Sequence, residues 1–211
     1  MPRILIVDDH ELVRHGMRAL LQESPIQYEI GEARNGTEAV NLLRAQHWDL
    51  LILDLSLPDR AGMEMLRDVK EQFSNLPVLI CSGHHESDYA VRALRAGASA
   101  YVPKSSAADE LLVAVDKAMR GKRYIQPALA ERLAEEMVGG DLTSSLHDKL
   151  TDRELDVLRL IGAGKSNGEI GKVLFISIKT VSTHRANILR KLGMQSNADL
   201  IRYAIRNNLV G

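Results

Sequence analysis

Asp54 ends the apolar run Leu50-Leu51-Ile52-Leu53 just before Pro58. Four consecutive aliphatics leave no solvent-facing position, so the run reads as a strand of a parallel sheet buried on both faces. Asp54 then lies at the strand's carboxyl end, where open α/β sheets place their chemistry. A carboxylate there can serve as a nucleophile, and the simpler alternative is a cap on the next helix. Ile4-Leu5-Ile6-Val7 likewise ends in Asp8-Asp9, Val78-Leu79-Ile80-Cys81 ends in Ser82, and Ala100-Tyr101-Val102 is followed by Pro103 and Lys104. Three carboxylates meeting in one crevice cannot all stay ionised without a cation, and an all-oxygen set suits Mg²⁺. A phosphoryl group on Asp54 would have that ion, the Ser82 hydroxyl and the Lys104 ammonium as partners. Singly, Ser82 also reads as a turn residue and Lys104 as a solvated cation. Agreement among four strand ends favours phosphoryl transfer.

Helical segments separate these strands. Leu12, Val13, Met17, Leu20 and Leu21 recur at helical spacing, and residues 36–45, 63–72, 87–96 and 107–120 supply four more helices. Residues 28–33 make a weaker edge strand. Five strands alternating with five helices argue for a doubly wound α/β fold with right-handed crossovers and strand order 2-1-3-4-5. That order leaves a crevice outside strands 1 and 3, where Asp8, Asp9 and Asp54 converge.

Whole-chain properties bound the rest. The 211 residues are 45% hydrophobic and 26% charged, with the single cysteine Cys81 in an apolar run. That composition suits a cytoplasmic globular protein without disulfides, and no segment has the length of a membrane span. The net charge of −1 conceals an asymmetry, because residues 147–211 carry 11 Lys/Arg against 6 Asp/Glu. Two modules are implied, residues 1–121 and 147–211, the basic one suited to a polyanion. Residues 122–146 form a linker with a short helix from Pro127 through Leu129, Leu133 and Met137, followed by Gly139-Gly140 and a flexible Thr143-Ser144-Ser145.

The second module is all-α. Thr151 and Glu154 make a capping box, with Leu155, Val157, Leu158 and Ile161 as the buried stripe of the first helix. A second helix starts at Ser166 or Asn167, Ser177 caps a third over residues 178–192, and a fourth runs over 197–207. The tight pairing of the second and third helices is a helix-turn-helix pattern, whose later member enters the DNA major groove. Val181, Ile188, Leu189 and Leu192 share the inward face of the third helix, and Lys179, Thr183, Ala186, Asn187 and Arg190 face out. From charge alone, that outer face also reads as an ordinary solvated one.

Asp8-Asp9, Asp54, Ser82 and Lys104, with Pro58 and Gly62 after the acceptor, resemble the receiver domain of bacterial response regulators. The resemblance covers about residues 3–121. It implies Asp54 as phosphoacceptor, Asp8, Asp9 and Asp54 as Mg²⁺ ligands with the Leu55 or Ser56 carbonyl nearby, Ser82 as switch hydroxyl and Lys104 as phosphate partner. Tyr101 matches the switch aromatic, expected to turn inward when Ser82 moves. Many receivers carry Pro directly after the Lys, whereas here Ser105 follows, so no cis peptide is expected after Lys104. His84 and His85 follow Ser82-Gly83 and are candidates to influence acyl-phosphate hydrolysis.

Leu150-Thr-Asp-Arg-Glu, Gly164-Lys-Ser-Asn-Gly-Glu-Ile, Thr180-Val-Ser-Thr-His184-Arg and Ile188-Leu-Arg-Lys-Leu-Gly193 resemble a LuxR-type DNA-binding domain. Together the modules resemble a response regulator of the NarL/FixJ type. The resemblance implies a sensor histidine kinase as phosphodonor, promoter DNA as target, and a homodimer on activation through the fourth helix at Leu200, Ile201 and Ala204. Lys179, Thr180, Arg190 and Lys191 are the candidate phosphate contacts. Ser182, Thr183 and Ala186 are the base-edge candidates, and Arg185 either braces the helix or reaches phosphate. Gly168 and Gly171 stand where larger residues are usual and should each weaken the second helix by up to ~1 kcal/mol. Two other functions compete: phosphorylation-independent DNA binding, and an Asp-nucleophile phosphatase. The latter usually needs an acid/base carboxylate where Ser56 stands, so the chain reads as no turnover enzyme.

Overall fold

The computed structural model describes residues 1–83, 87–106, 108–127, 130–131, 146–207 and 209–210. Two compact units divide the chain, Met1–Glu135 and Glu136–Gly211. No helix among the described residues is long and apolar enough to cross a membrane.

In the first unit, β1 (Arg3–Val7), β2 (Glu29–Ala33), β3 (Leu50–Leu53), β4 (Val78–Ser82) and β5 (Ala100–Pro103) alternate with five helices. These are α1 (Glu11–Gln22), α2 (Gly36–Ala45), α3 (Gly62–Gln72), α4 (Ser87–Arg95) and α5 (Ala108–Met119). All strand pairs are parallel, in the order β2-β1-β3-β4-β5. Ile4, Ile6, Leu50, Ile52, Leu79 and Cys81 bury one sheet face against Met17 and Leu21 of α1 and Leu111, Val115 and Ala118 of α5. The alternate residues Leu5, Leu51 and Ile80 are equally buried, as a sheet covered on both faces requires. Burial pushes the Cys81 thiol up to about 12, which fits an inert core residue. Leu12 departs from the expected α1 stripe and is 83% exposed, because it lies some 140° around the helix from Met17.

Register delivers the chemistry. Val7 pairs with Leu53 and Leu53 with Ile80, so Asp8 and Asp54 leave the sheet at one level. The Asp54 amide donates to Val7 O at 2.9 Å and the Asp8 amide to Ala33 O at 3.1 Å, holding both residues to neighbouring strands. Beyond Asp54 the chain folds back through an isolated bridge between Ser56 and Ala61. Gly62 makes that return possible, since a Cβ there would sit 2.3 Å from Leu55 Cα.

Among the described residues of the second unit, a 3₁₀ turn, Leu146–Lys149, is followed by α6 (Asp152–Gly162), α7 (Asn167–Val173), α8 (Ile178–Leu192) and α9 (Asn197–Arg206). Thr151 and Glu154 form the expected capping box, Ser177 caps α8, and Ser166 with Glu169 closes a second capping box at α7. Buried Leu155, Leu158, Ile170, Val181, Ile188 and Leu200 make the core. The Arg153 guanidinium donates to the Leu174 carbonyl, placing a cation at the end of α7.

The two glycines of α7 differ. A Cβ on Gly171 would approach the Ile176 carbonyl oxygen to 2.7 Å, so the close turn into α8 requires glycine there, contrary to a simple helix-weakening role. Gly168 has open space around it and retains that role. Pro127, Ala130 and Glu131 are helical, consistent with a helix starting in the linker. Leu129, Leu133, Met137 and residues 139–145 lie outside the described residues.

Candidate functional site

The carboxyl end of the sheet gathers the acidic residues as expected. Asp8 and Asp54 are almost fully buried and Asp9 lies at their rim. One ligand atom from each of Asp8, Asp9, His10 and Asp54 can be chosen so that all lie within 4.8 Å of one another. Lys104 reaches into this cluster, its Nζ 2.6 Å from Asp8 Oδ2 and 2.8 Å from Asp54 Oδ2. Its placement follows from the ladder, because the Lys104 amide donates to Ser82 O at 2.8 Å and extends the β4–β5 pairing by one residue.

The electrostatics are strained in a specific way. Burial pushes the Asp54 carboxyl above its usual range, and repulsion from Asp8 adds to this while Lys104 and the Ser56 amide oppose it. Burial also disfavours the Lys104 ammonium, but Asp54 and Asp8 outweigh that and raise its pKa. The compensating cation expected of a metal is thus partly supplied by the chain itself. It does not satisfy every oxygen: Asp54 Oδ1 is buried and accepts no hydrogen bond from the described residues, while Asp9 Oδ1 faces the His10 Nδ1 at 2.7 Å. A buried anionic oxygen left unsatisfied beside two further carboxylates fits a divalent cation.

Ser82 is fully buried at the end of β4, and its side chain is engaged within the fold. Tyr101 is 3% exposed, so its ring already lies inside rather than awaiting an inward turn. No cis peptide occurs among the described residues, in line with Ser105 following Lys104. His84 and His85 lie outside the described residues. His10 was missed by the sequence reading, although its place directly after two acidic residues was a usable signal. Arg14 was missed too: it donates to the Asp8 carbonyl at 2.8 Å and to Glu32 at 3.2 Å. Nothing in the linear sequence links Arg14 to Glu32 without the sheet order.

In the second unit α8 presents Lys179, Thr180, Thr183, Ala186 and Arg190 as exposed positions. Three candidates behave otherwise. Lys191 Nζ lies 2.6 Å from Glu154 Oε2, and that buried carboxylate occupies it, which removes Lys191 from the phosphate set. Ser182 donates to Ile178 O at 3.0 Å and accepts from Asn167 Nδ2 at 3.3 Å, so it ties α8 to α7. Arg185 Nη1 donates to Asn197 Oδ1 at 3.2 Å, bracing α8 against the start of α9.

The dimer candidates also need correction. Leu200 and Ala204 are fully buried where α9 packs on α6, leaving them no surface for a partner. Ile201 is half-buried, and Ile205, which the sequence reading passed over, is 59% exposed.

Comparison with known proteins agrees across both units. Residues 4–116 match the response regulator receiver domain, and residues 148–204 match the bacterial regulatory proteins of the luxR family. The transcriptional regulatory protein LiaR of Bacillus subtilis is 36% identical over 210 residues, covering all of both chains. The response regulator protein VraR of Staphylococcus aureus is 34% identical over 208 residues, covering 99% of this chain and 98% of VraR. Among solved structures, RcsB of Salmonella enterica bound to promoter DNA with a phosphomimetic is 27% identical with a TM-score of 0.65, covering 96% of this chain and 97% of that one. The chain therefore belongs to the two-component response regulators, with a receiver joined to a LuxR-type DNA-binding domain.

Proposed function

We propose that Asp54 accepts a phosphoryl group from the phosphohistidine of a cognate sensor kinase, and that this controls promoter binding by a cytoplasmic, dimerising regulator. The observation that carries this reading is the buried Asp54 carboxylate, with one oxygen held by Lys104 and the other without a hydrogen bond. An Asp54 oxygen attacks phosphorus as the histidine N–P bond breaks, leaving an acyl phosphate on the receiver. Lys104 steadies the new anionic oxygens, and Ser82 supplies a hydroxyl at the neighbouring strand end. Mg²⁺ held by Asp8, Asp9 and Asp54 would neutralise charge on the transferring group. Acceptance is stoichiometric, and any autodephosphorylation returns the chain to its starting state rather than making it a turnover enzyme.

The second domain reads DNA through α8. Lys179, Thr180 and Arg190 contact phosphates and make affinity salt-dependent, while Thr183 and Ala186 face base edges. Dimer contacts fall to the outward side of α9, at Ile201 and Ile205. These assignments divide the chain into a receiver over 1–121, a linker over 122–146 and a DNA-binding domain over 147–211.

Gel-shift affinity at fixed salt, with and without a small phosphodonor and Mg²⁺, tests the switch. Phosphodonor should change the affinity of the parent, and Asp54→Asn should abolish both phosphoryl incorporation and that change. The buried Tyr101 ring favours a second reading, in which DNA binding is independent of phosphate. Equal affinity in all arms would establish it.

A further inference from the structure

The acidic pocket differs from an all-oxygen site by one ring. His10 Nδ1 lies 2.7 Å from Asp9 Oδ1 and 3.3 Å from Asp8 Oδ1, inside the group of ligand atoms that also takes in Asp54. The backbone around it is anchored: the His10 amide donates to Asp8 Oδ1 at 2.9 Å, and its carbonyl accepts from the Val13 and Arg14 amides. As the N-cap of α1, His10 makes no side-chain capping bond, so helix initiation does not occupy the imidazole. Its side chain is 64% exposed, at the solvent rim of the pocket, while the Asp54 carboxylate beneath is almost fully buried with Oδ1 unbonded.

We propose that the pocket is a mixed nitrogen–oxygen site, in which His10 is a further ligand that favours first-row transition ions over Mg²⁺. This rests on the reading of Asp8, Asp9 and Asp54 as a divalent-cation site. Mg²⁺ prefers oxygen, dehydrates reluctantly and gains little from an imidazole. Mn²⁺, Co²⁺ and Ni²⁺ bind imidazole increasingly well along the first row, so one added ring nitrogen separates them from Mg²⁺. To ligate through Nδ1 the ring must present its lone pair there, so the 2.7 Å contact to Asp9 Oδ1 is taken over by the shared cation.

Calorimetric titration of the full chain with Co²⁺ and, separately, Mg²⁺ gives the test. His10→Ala should lower the ratio of Co²⁺ to Mg²⁺ affinity about tenfold. His10→Asn, which supplies a helix-capping side chain but no imidazole, should lower it similarly. The visible absorption of bound Co²⁺ should shift in both variants as the nitrogen ligand is lost. An affinity ratio and a Co²⁺ spectrum unchanged in both variants would overturn the role of His10 while leaving the carboxylate site standing. Failure of the parent to bind either ion would overturn the underlying metal site as well.

Discussion

Each domain holds a buried carboxylate facing a lysine, yet the two pairs do opposite work. In the DNA-binding domain, Glu154 receives the Lys191 ammonium at 2.6 Å and the Thr151 amide at 2.8 Å. Burial alone would raise its pKa, but those bonds overcome it and hold the carboxyl below its usual range. In the receiver, Lys104 is divided between Asp8 and Asp54, Asp54 Oδ1 remains unsatisfied, and the Asp54 carboxyl is pushed up. A satisfied carboxylate locks helices together, whereas an unsatisfied one keeps free energy in reserve for a ligand or a modification. What separates structure from function here is the number of unmet oxygens rather than residue type.

The largest effect is expected at Lys104. Lys104→Ala leaves two buried carboxylates without their ammonium and should destabilise the receiver by about 3 kcal/mol. Mg²⁺ at a hundred times the variant's Kd should return about 2.7 kcal/mol, and at that same concentration the parent should gain less, because Lys104 already neutralises its pocket and weakens Mg²⁺ binding. Thermal unfolding of the full chain with and without Mg²⁺ checks both halves; a variant that ignores Mg²⁺ would contradict the pocket reading.

Lys191→Met sharpens the other side. It leaves Glu154 buried with only its capping amide and should cost the DNA-binding domain about 2 kcal/mol, with no recovery in Mg²⁺. Domain-resolved hydrogen exchange would assign the loss to α6 and α8.

The two carboxylates should also respond oppositely to acid. Glu154 has a depressed folded pKa, so its stabilisation is present above the ordinary value of 4.5 and is lost as pH falls through the lower folded value. Asp54 has a raised folded pKa, so its ionised form costs stability at neutral pH, and that cost is relieved as pH falls toward 3.8. Asp54→Asn should flatten the receiver's acid response without touching the helical domain's, as read by exchange protection of each.

The smallest test stays within the satisfied domain, where packing sets the limit. Gly168→Ala should stabilise it by about 0.5–1 kcal/mol, since the position is helical and open. Gly171→Ala should destabilise it, because the new methyl meets the Ile176 carbonyl. Denaturant midpoints of the two variants should move in opposite directions.

The linear pattern was most readable where one local rule governs. Apolar runs marked β3 at Leu50–Leu53 and β4 up to its terminal Ser82, and Thr151 with Glu154 three residues later marked the start of α6. Failures came where a side chain's partner is distant in sequence. Lys191 looked like a phosphate contact on a basic helix, but Glu154, 37 residues away, already holds it. Leu200 and Ala204 looked like a dimer seam, but α6 covers them.

By itself the sequence determined the alternation of strands and helices, the strand-end placement of Asp8, Asp54, Ser82 and Lys104, and the helix-turn-helix. Period and capping are properties of neighbours along the chain, so they need no knowledge of what packs against them. Only the tertiary structure decided which charges are already spent. It showed Lys104 shared between two aspartates, Lys191 and Arg185 withdrawn from the DNA face, and His10 turned toward the acidic pocket. Satisfaction of a buried polar group depends on every atom within a few ångströms, and folding brings those atoms from anywhere in the chain.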